Sequence, residues 1–230
     1  SYCQISGLAT FADVPVLIID GNKVEGNLVI PASVESVAPY AFKNRPLTSV
    51  TISEGVKKIG EDAFSGCEEL VKISIPSSVT EIGVGAFASC PKLEEIKVGA
   101  ANKKYAVVNN CVIEKSTKTL VVGCKTSVIP ADRSVETIGN MAFAGSGITN
   151  LVIPDGVTEI RELAIGGCKE LLSIEISTSV KKIGGLAFMR CDKLLIVYKG
   201  TVQQWLDMEK GSAGTRVMVK CTDGELFWGM

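Results

Sequence analysis

The feature that most constrains the fold of this chain is an internal repeat of about 23 residues. One copy reads VKKIGEDAFSGCEELVKISIP over residues 56–76, and the next reads VTEIGVGAFASCPKLEEIKV over residues 79–98. Related copies begin at Val34, Val135, Val157 and Val180. A unit of this length cannot shelter its own apolar residues from water, so neighbouring units must stack and share them. The repeat therefore predicts a solenoid.

Each unit carries two short extended segments and a corner. Ile73 and Ile75 alternate with polar residues, which is typical of a main strand with one buried face. A second, shorter strand follows at residues 79–82, and Gly83 permits a turn into a short helical or 3₁₀ corner at Ala86. We expect the corner aromatic residues to stack as a spine, which consists of Phe42, Phe64, Phe87, Phe143 and Phe188, with Ile165 filling the gap.

Composition narrows the function classes. The chain is 46% hydrophobic but only 6% aromatic, so the shared columns must be mostly aliphatic. Its 24 Lys and Arg residues nearly balance 25 Asp and Glu residues, which gives no electrostatic reason to expect nucleic acid or an anionic membrane as a partner. The chain has no histidine, which excludes histidine-based catalytic triads and histidine metal sites. No apolar run approaches the roughly 20 residues that span a bilayer.

The pattern L-x-x-I-x-I-P-x-x-V-x-x-I-G-x-x-A-F-x-x-C, complete from Leu70 to Cys90, resembles the BspA-like leucine-rich-repeat family of microbial surface proteins. The resemblance covers roughly residues 14–230, although Arg45 and Ser146 stand where that family usually has cysteine. It implies an α/β-type leucine-rich-repeat solenoid: a β-rich, right-handed superhelix with short parallel strands and an inserted β-hairpin. It also implies an extracellular or cell-surface location. The chain as given shows no signal-peptide pattern at its start, and we expect such a peptide to have been removed.

We expect a single leucine-rich-repeat domain over residues 1–230. Its predicted parts are an N-terminal cap hairpin (1–27), repeats (28–101), an inserted hairpin (102–127), further repeats (128–198) and a C-terminal helix–hairpin cap (199–230). The insert reads as one hairpin around a polar turn near residues 116–118, interrupting the repeat without serving the core. In the cap, Thr201 and Gln204 form a capping box that opens a short helix, and residues 216–228 read as a closing hairpin.

Eight cysteines raise the question of disulfides or metal binding. No C-x-x-C pair is present, and without histidine a zinc site has little support. Cys67, Cys90, Cys168 and Cys191 share one column of the repeat, where buried free thiols are favoured over disulfides between neighbouring turns. Cys111 and Cys124 flank the insert and offer another possible pair, again less favoured than free thiols.

Other patterns that suggest chemistry have structural explanations. Residues 83–88 match G-x-G-x-x-A, yet sister repeats have the same corner, so this is a turn rather than a dinucleotide site. The carboxylate pairs Glu68–Glu69 and Glu94–Glu95 suggest glycosidase acids, but adjacent loop residues do not face each other across a cleft. We therefore expect no enzyme activity, cofactor or metal.

Outward residues of the main strands are the candidate binding site. The predicted partner-binding residues form a continuous grid and are Thr51, Ser74, Lys97, Val152 and Glu175, with Ser49, Lys72, Glu95, Asn150 and Ser173 beside them. The insert is a second candidate surface. We expect a monomer that binds a protein, such as a host surface or matrix protein, with no nucleic acid and no direct membrane insertion. The alternative function is a stalk that displays another domain. The alternative role of the outward strand residues is only to keep the protein soluble.

Overall fold

The computed structural model describes residues 25–229, and also the backbone of residues 8–11 and 14–17. The two N-terminal segments form an antiparallel pair of strands. The sequence predicts an N-terminal cap over residues 1–27. Apart from these two strands, the part of that cap before Glu25 lies outside the described residues. Within the described part, the chain winds as a β-solenoid of about eight turns. None of the described helices is long and apolar enough to cross a membrane.

The strands are short and follow each other with turns between them. In chain order they are β1 Leu8–Phe11, β2 Val14–Leu17, β3 Gly26–Ile30, β4 Ser36–Val37, β5 Leu47–Ile52, β6 Lys58–Ile59, β7 Lys72–Ile75, β8 Glu81–Ile82, β9 Glu95–Val98, β10 Tyr105–Val108, β11 Cys111–Glu114, β12 Thr119–Val122, β13 Thr137–Ile138, β14 Asn150–Ile153, β15 Glu159–Ile160, β16 Ser173–Ile176, β17 Lys182–Ile183 and β18 Leu195–Tyr198; then helix α1 Val202–Asp207, β19 Glu209–Lys210, β20 Val217–Lys220 and β21 Glu225–Trp228.

Successive turns place these strands in four sheets. The main strands form an N-terminal main sheet (β3-β5-β7-β9) and a C-terminal main sheet (β14-β16-β18-β20-β21). The second strands form β1-β2-β4-β6-β8 and β10-β11-β12-β13-β15-β17-β19. Neighbouring turns pair in parallel and in register, as Ile73 does with Ile96 and Ile174 with Ile196. The main column is interrupted between β9 and β14, and the second column between β8 and β10, where the insert begins.

The corners are runs of turns, which corrects the short helical or 3₁₀ corners that the sequence suggests. Ala63 N–H donates to Gly60 O at 3.3 Å and Ser65 N–H to Asp62 O at 3.0 Å, as in a 3₁₀ helix. Two left-handed residues, Asp62 (φ 51°) and Gly66 (φ 74°), break the run. Phe64 N–H then donates to the corresponding corner of the next turn, so the corners form a third hydrogen-bonded column.

The core consists of aliphatic columns shared between turns, with an aromatic stack at the corner. Phe42, Phe64 and Phe87 stack almost in parallel, with ring centroids 5.1 and 5.4 Å apart. This confirms the first half of the predicted spine. Among residues 25–229 the stack does not continue to Phe143, because Gly123 of the insert covers that ring. A side chain built at Gly123 would place its Cβ 2.1 Å from Phe143 Cε1.

The insert is a three-stranded antiparallel meander. The sequence predicts a single two-stranded hairpin there, so the predicted number of strands is wrong. Strands β10 and β11 are joined by Asn109 and Asn110, with φ values of 48° and 58°, as a tight two-residue hairpin turn requires. Strands β11 and β12 are joined at residues 115–118, where the sequence predicts the turn. The prediction that the insert does not serve the core is also wrong. The insert contributes several buried apolar residues, which include Cys111, Val112, Ile113, Leu120 and Val122.

The C-terminal cap closes the stack. Helix α1 begins with the predicted capping box: Gln204 N–H donates to the Thr201 hydroxyl, and Thr201 N–H donates to the Gln204 side chain. Strand β19 then continues the second-strand column, and β20 continues the main column. Trp205 is fully buried against Tyr198 and Trp228. The predicted closing hairpin is confirmed as β20 and β21.

Candidate protein-binding surface

The outward residues of the N-terminal main sheet form a row that is polar from Thr51 onward. Val29, Thr51, Ser74 and Lys97 are direct neighbours on consecutive strands, so their side chains are about 4.8 Å apart along the solenoid. Thr51 and Lys97 are exposed and Ser74 is half-buried. Lys97 forms an ion pair with Glu95 at 2.8 Å, which holds the pKa of that carboxyl below its usual value. Three of the five predicted residues are therefore brought together.

The C-terminal main sheet has a different outer face. Val152 and Glu175 are direct neighbours, and the row continues through Val197 to Lys220. Glu175 forms an ion pair with Lys199 at 2.5 Å. The parallel row is apolar toward the end of the chain and consists of Asn150, Ser173, Leu195, Met218 and Phe227. Val152 is 56% exposed, and Leu172, which precedes β16, is 51% exposed.

The two rows do not join, so the continuous grid expected from the sequence is divided. At the division, side chains of the insert take over hydrogen bonds that strands make elsewhere. Asn110 Oδ1 accepts from Ile96 N–H at 3.2 Å, and the Tyr105 hydroxyl accepts from Ile82 N–H at 3.1 Å. Backbone atoms also connect the turns here: Ser89 N–H donates to Ala144 O at 2.7 Å in the corner column, and Lys125 N–H donates to Leu93 O at 3.0 Å.

Asn102 anchors the start of the insert. It is 1% exposed, and its amide Nδ2 donates to the carbonyl oxygens of Pro76 (3.1 Å) and Val79 (2.9 Å). Its Oδ1 accepts from Lys104 N–H (2.9 Å) and Tyr105 N–H (2.8 Å). A buried amide with four hydrogen bonds fixes the backbone on both sides of it. Asn102 therefore ties the insert to the preceding turn.

The carboxylate pairs noted in the sequence face lysines rather than each other. Glu69 forms an ion pair with Lys92 at 2.6 Å, and Glu94 with Lys125 at 2.7 Å, all on exposed side chains. Such exposed pairs contribute little to stability. Within residues 25–229 no group of three or more His, Cys, Asp or Glu side chains is arranged to hold a metal ion.

The column cysteines act as hydrogen-bond donors between turns. The thiols of Cys67, Cys90, Cys168 and Cys191 donate to carbonyl oxygens of the preceding turn at 3.1–3.3 Å. Burial raises the pKa of Cys67 to about 11, so this thiol stays protonated. The seven cysteines within residues 25–229, including Cys111 and Cys124, are unbridged. The favoured free-thiol interpretation agrees with this geometry.

Sequence reasoning missed two groups of residues. It did not single out the apolar outer residues Leu172, Leu195, Met218 and Phe227, although Met218 stands between the buried Val217 and Val219 in the closing hairpin. It also did not assign a role to Asn102, Tyr105 or Asn110. The adjacent Asn109–Asn110 pair was an available signal for the first hairpin, because asparagine tolerates left-handed turn positions.

Comparison with known proteins agrees with this architecture. The model of the BspA type leucine rich repeat region matches in six copies, over residues 23–122 and 114–201. No curated protein matches the chain. A leucine-rich repeat protein from Eubacterium ventriosum is similar, with 26% identity and a TM-score of 0.57, over 75% of this chain and 54% of that one. The T. pallidum leucine rich repeat protein has 25% identity and a TM-score of 0.50, over 82% of this chain and 86% of that one.

The chain belongs to the BspA-type leucine-rich-repeat family, because the family model covers most of its length and the solenoid has the fold of solved bacterial members. The resemblance noted in the sequence is thereby confirmed. The chain spans about half the length of the Eubacterium ventriosum protein.

Proposed function

We propose that this protein is a cell-surface or secreted interaction module that binds a protein partner through the outer faces of its two main sheets. The observation that carries this proposal is the pair of registered, solvent-facing rows, with Thr51, Ser74 and Lys97 in one and Val152 and Glu175 in the other. A rigid array of side chains at fixed spacing suits recognition of a protein surface. Membership of the BspA-type family supports the proposed surface or secreted location, because the resemblance noted in the sequence implies microbial surface proteins.

The C-terminal main sheet is the stronger half of this surface. Exposed Val152 and Leu172 provide apolar contact area, and Glu175 and Lys199 provide polar groups at its margin. Protein interfaces combine an apolar centre with a polar rim in this way. The N-terminal main sheet is polar throughout its outward row from Thr51 to Lys97, so it supplies orientation more than binding energy.

The test is a binding measurement with immobilised matrix proteins, namely fibronectin, laminin and collagen. We compare the wild-type chain with Val152→Asp and Glu175→Lys on one sheet, and with Lys97→Glu on the other. The matched control is Val84→Asp, because Val84 is 46% exposed beyond the second strand β8. We expect a large loss for Val152→Asp, a smaller loss for the two charge reversals, and wild-type binding for the control.

Equal binding of all variants to a matrix protein would contradict the proposed surface. Absence of binding to every matrix protein would remove the adhesion hypothesis and favour the alternative, a stalk that displays another domain. Thermal unfolding of each variant must match the wild type, which ensures that a loss of binding does not reflect unfolding.

A further inference from the structure

Within the residues that the structure describes, strand β21 is the last strand of the C-terminal main sheet and has a neighbouring strand on one side. It pairs antiparallel with β20, and Cys221 N–H donates to Gly224 O at 2.7 Å where the hairpin turns. Hydrogen-bonded pairs alternate along an antiparallel ladder, so Leu226 and Trp228 direct their backbone groups toward β20. The backbone N–H and C=O groups of Glu225 and Phe227 therefore face the open side of the sheet.

Within the described residues, this edge has part of the usual protection against pairing with another strand, namely a length of four residues and the charge of Glu225. Natural edge strands are commonly blocked by lysine, proline or a bulge, and β21 has none of these. Phe227, near its centre, is 54% exposed, and its direct neighbour Met218 is 38% exposed. An unpaired backbone edge beside exposed apolar side chains is the arrangement that a further strand completes.

A two-fold axis at this edge would bring the opposite charges of Glu225 and Arg216 from two copies together. The guanidinium of Arg216 lies 4.1 Å from the centroid of the Phe227 ring, and the exposed Glu225 lies two residues before Phe227. If two copies of β21 pair antiparallel with Leu226 opposite its own copy, each Glu225 lies opposite Phe227 of the other copy. Each Glu225 carboxylate then comes beside the Arg216 guanidinium stacked on that ring. A two-fold interface makes this contact twice.

We propose that two copies of this chain associate through their β21 strands, joining the C-terminal main sheets edge to edge with paired Glu225–Arg216 contacts. The occupant of the edge is a second copy, because antiparallel pairing of two β21 strands brings Glu225 of each copy to Phe227 and Arg216 of the other. This proposed dimer differs from the monomer that the sequence predicts. It is independent of the proposed partner-binding function, since it uses the sheet edge and not Val152 or Glu175.

The test is sedimentation equilibrium of the 230-residue chain with a charge-swap cycle. The wild type should sediment as a concentration-dependent dimer. Glu225→Arg places like charges against Arg216 of the other copy and should raise the dimer dissociation constant at least about tenfold, as should Arg216→Glu. The double variant restores opposite charges and should return the constant to within about threefold of the wild type.

The matched control is Glu68→Arg, which makes the same charge change at an exposed corner far from β21 in sequence. It should dimerise as the wild type does, and all variants should show the same thermal unfolding. Three results would overturn the proposal: a wild-type chain that is monomeric at all concentrations, single variants that dimerise normally, or a double variant that is not restored. Binding of a foreign extended peptide at this edge without self-association would identify a different occupant and likewise overturn it.

Discussion

Ordinary junctions between turns differ from the junction that spans the insert. In an ordinary junction, such as that between β5 and β7, parallel backbone pairing continues in both strand columns and the corner rings stack. Across the insert, individual side chains from Tyr105 and Asn110 accept the hydrogen bonds of the preceding turn. Many equivalent contacts support the first kind of junction. The second combines such side-chain contacts with isolated backbone hydrogen bonds, such as that from Lys125 N–H to Leu93 O at 3.0 Å.

The hydrophobic packing shows the same contrast. Cys111, Ile113 and Leu120 of the insert pack into the C-terminal core cluster, while Tyr105 and Val122 pack into the N-terminal cluster. Alternate residues of one meander thus enter two cores. An insertion can therefore sit within a solenoid without breaking its core, provided that its side chains pack into the turns before it and the turns after it.

The largest expected effect is at the ordinary junction. Phe64→Ala removes a fully buried ring from the middle of the aromatic stack, so the free energy of unfolding should fall by about 4 kcal/mol. Urea unfolding measures this loss. Tyr40→Ala, at an exposed ring, is the control and should cost under about 1 kcal/mol. A similar loss for both variants would show that the stack is not a major source of stability.

At the insert junction, Asn102→Leu should cost about 3 kcal/mol, because it leaves four backbone groups without their partner in a buried site. Equilibrium unfolding checks the value. The control Asn140→Leu changes an exposed asparagine at a corner and should alter stability by under about 0.5 kcal/mol. If the Asn102 variant is as stable as its control, Asn102 does not anchor the insert.

Gly123→Ala tests the contact between the insert and the Phe143 ring. The added methyl group overlaps the ring, and such overpacking should cost about 2 kcal/mol. Gly185→Ala is a matched control, since nothing lies within 4 Å of a Cβ built at Gly185. Thermal unfolding should separate the two variants by several degrees. Equal melting temperatures would place Phe143 away from the insert.

The smallest effect is expected for Tyr105→Phe, which removes only the hydroxyl that accepts from Ile82 N–H. The cost should be about 1 kcal/mol, and it should be local. Amide hydrogen exchange should accelerate at Ile82 and stay unchanged at Ile59, whose second strand pairs with β4 and β8 in the regular way. Unchanged exchange at Ile82 would contradict the bridging role of the hydroxyl.

The sequence predicts the repetitive part of this fold well and the exceptional part less well. Alternation at Ile73 and Ile75 defines a main strand because every turn repeats the same burial pattern. The corner at Ala63 looks helical by composition, yet Asp62 adopts a left-handed conformation that composition does not reveal. Within the insert, the period is lost, so apolar segments such as Cys111–Glu114 indicate strands without indicating which core they enter.

The candidate site is predictable only in part for a similar reason. Strand alternation places Thr51, Ser74 and Lys97 on one outer face, and register makes them neighbours. Whether Lys97 and Val152 belong to one surface depends on the path of the insert, which no periodic pattern specifies.

The central claim is that the insert joins both halves of the solenoid into one cooperative stack. Native-state hydrogen exchange of the Phe64 and Ile165 amides tests it, since each donates within the corner column of one half, at 2.8 and 3.0 Å. The account predicts opening free energies that agree within about 1 kcal/mol in the wild type. Opening free energies that differ by more than about 3 kcal/mol, with one half exchanging while the other stays protected, would contradict it.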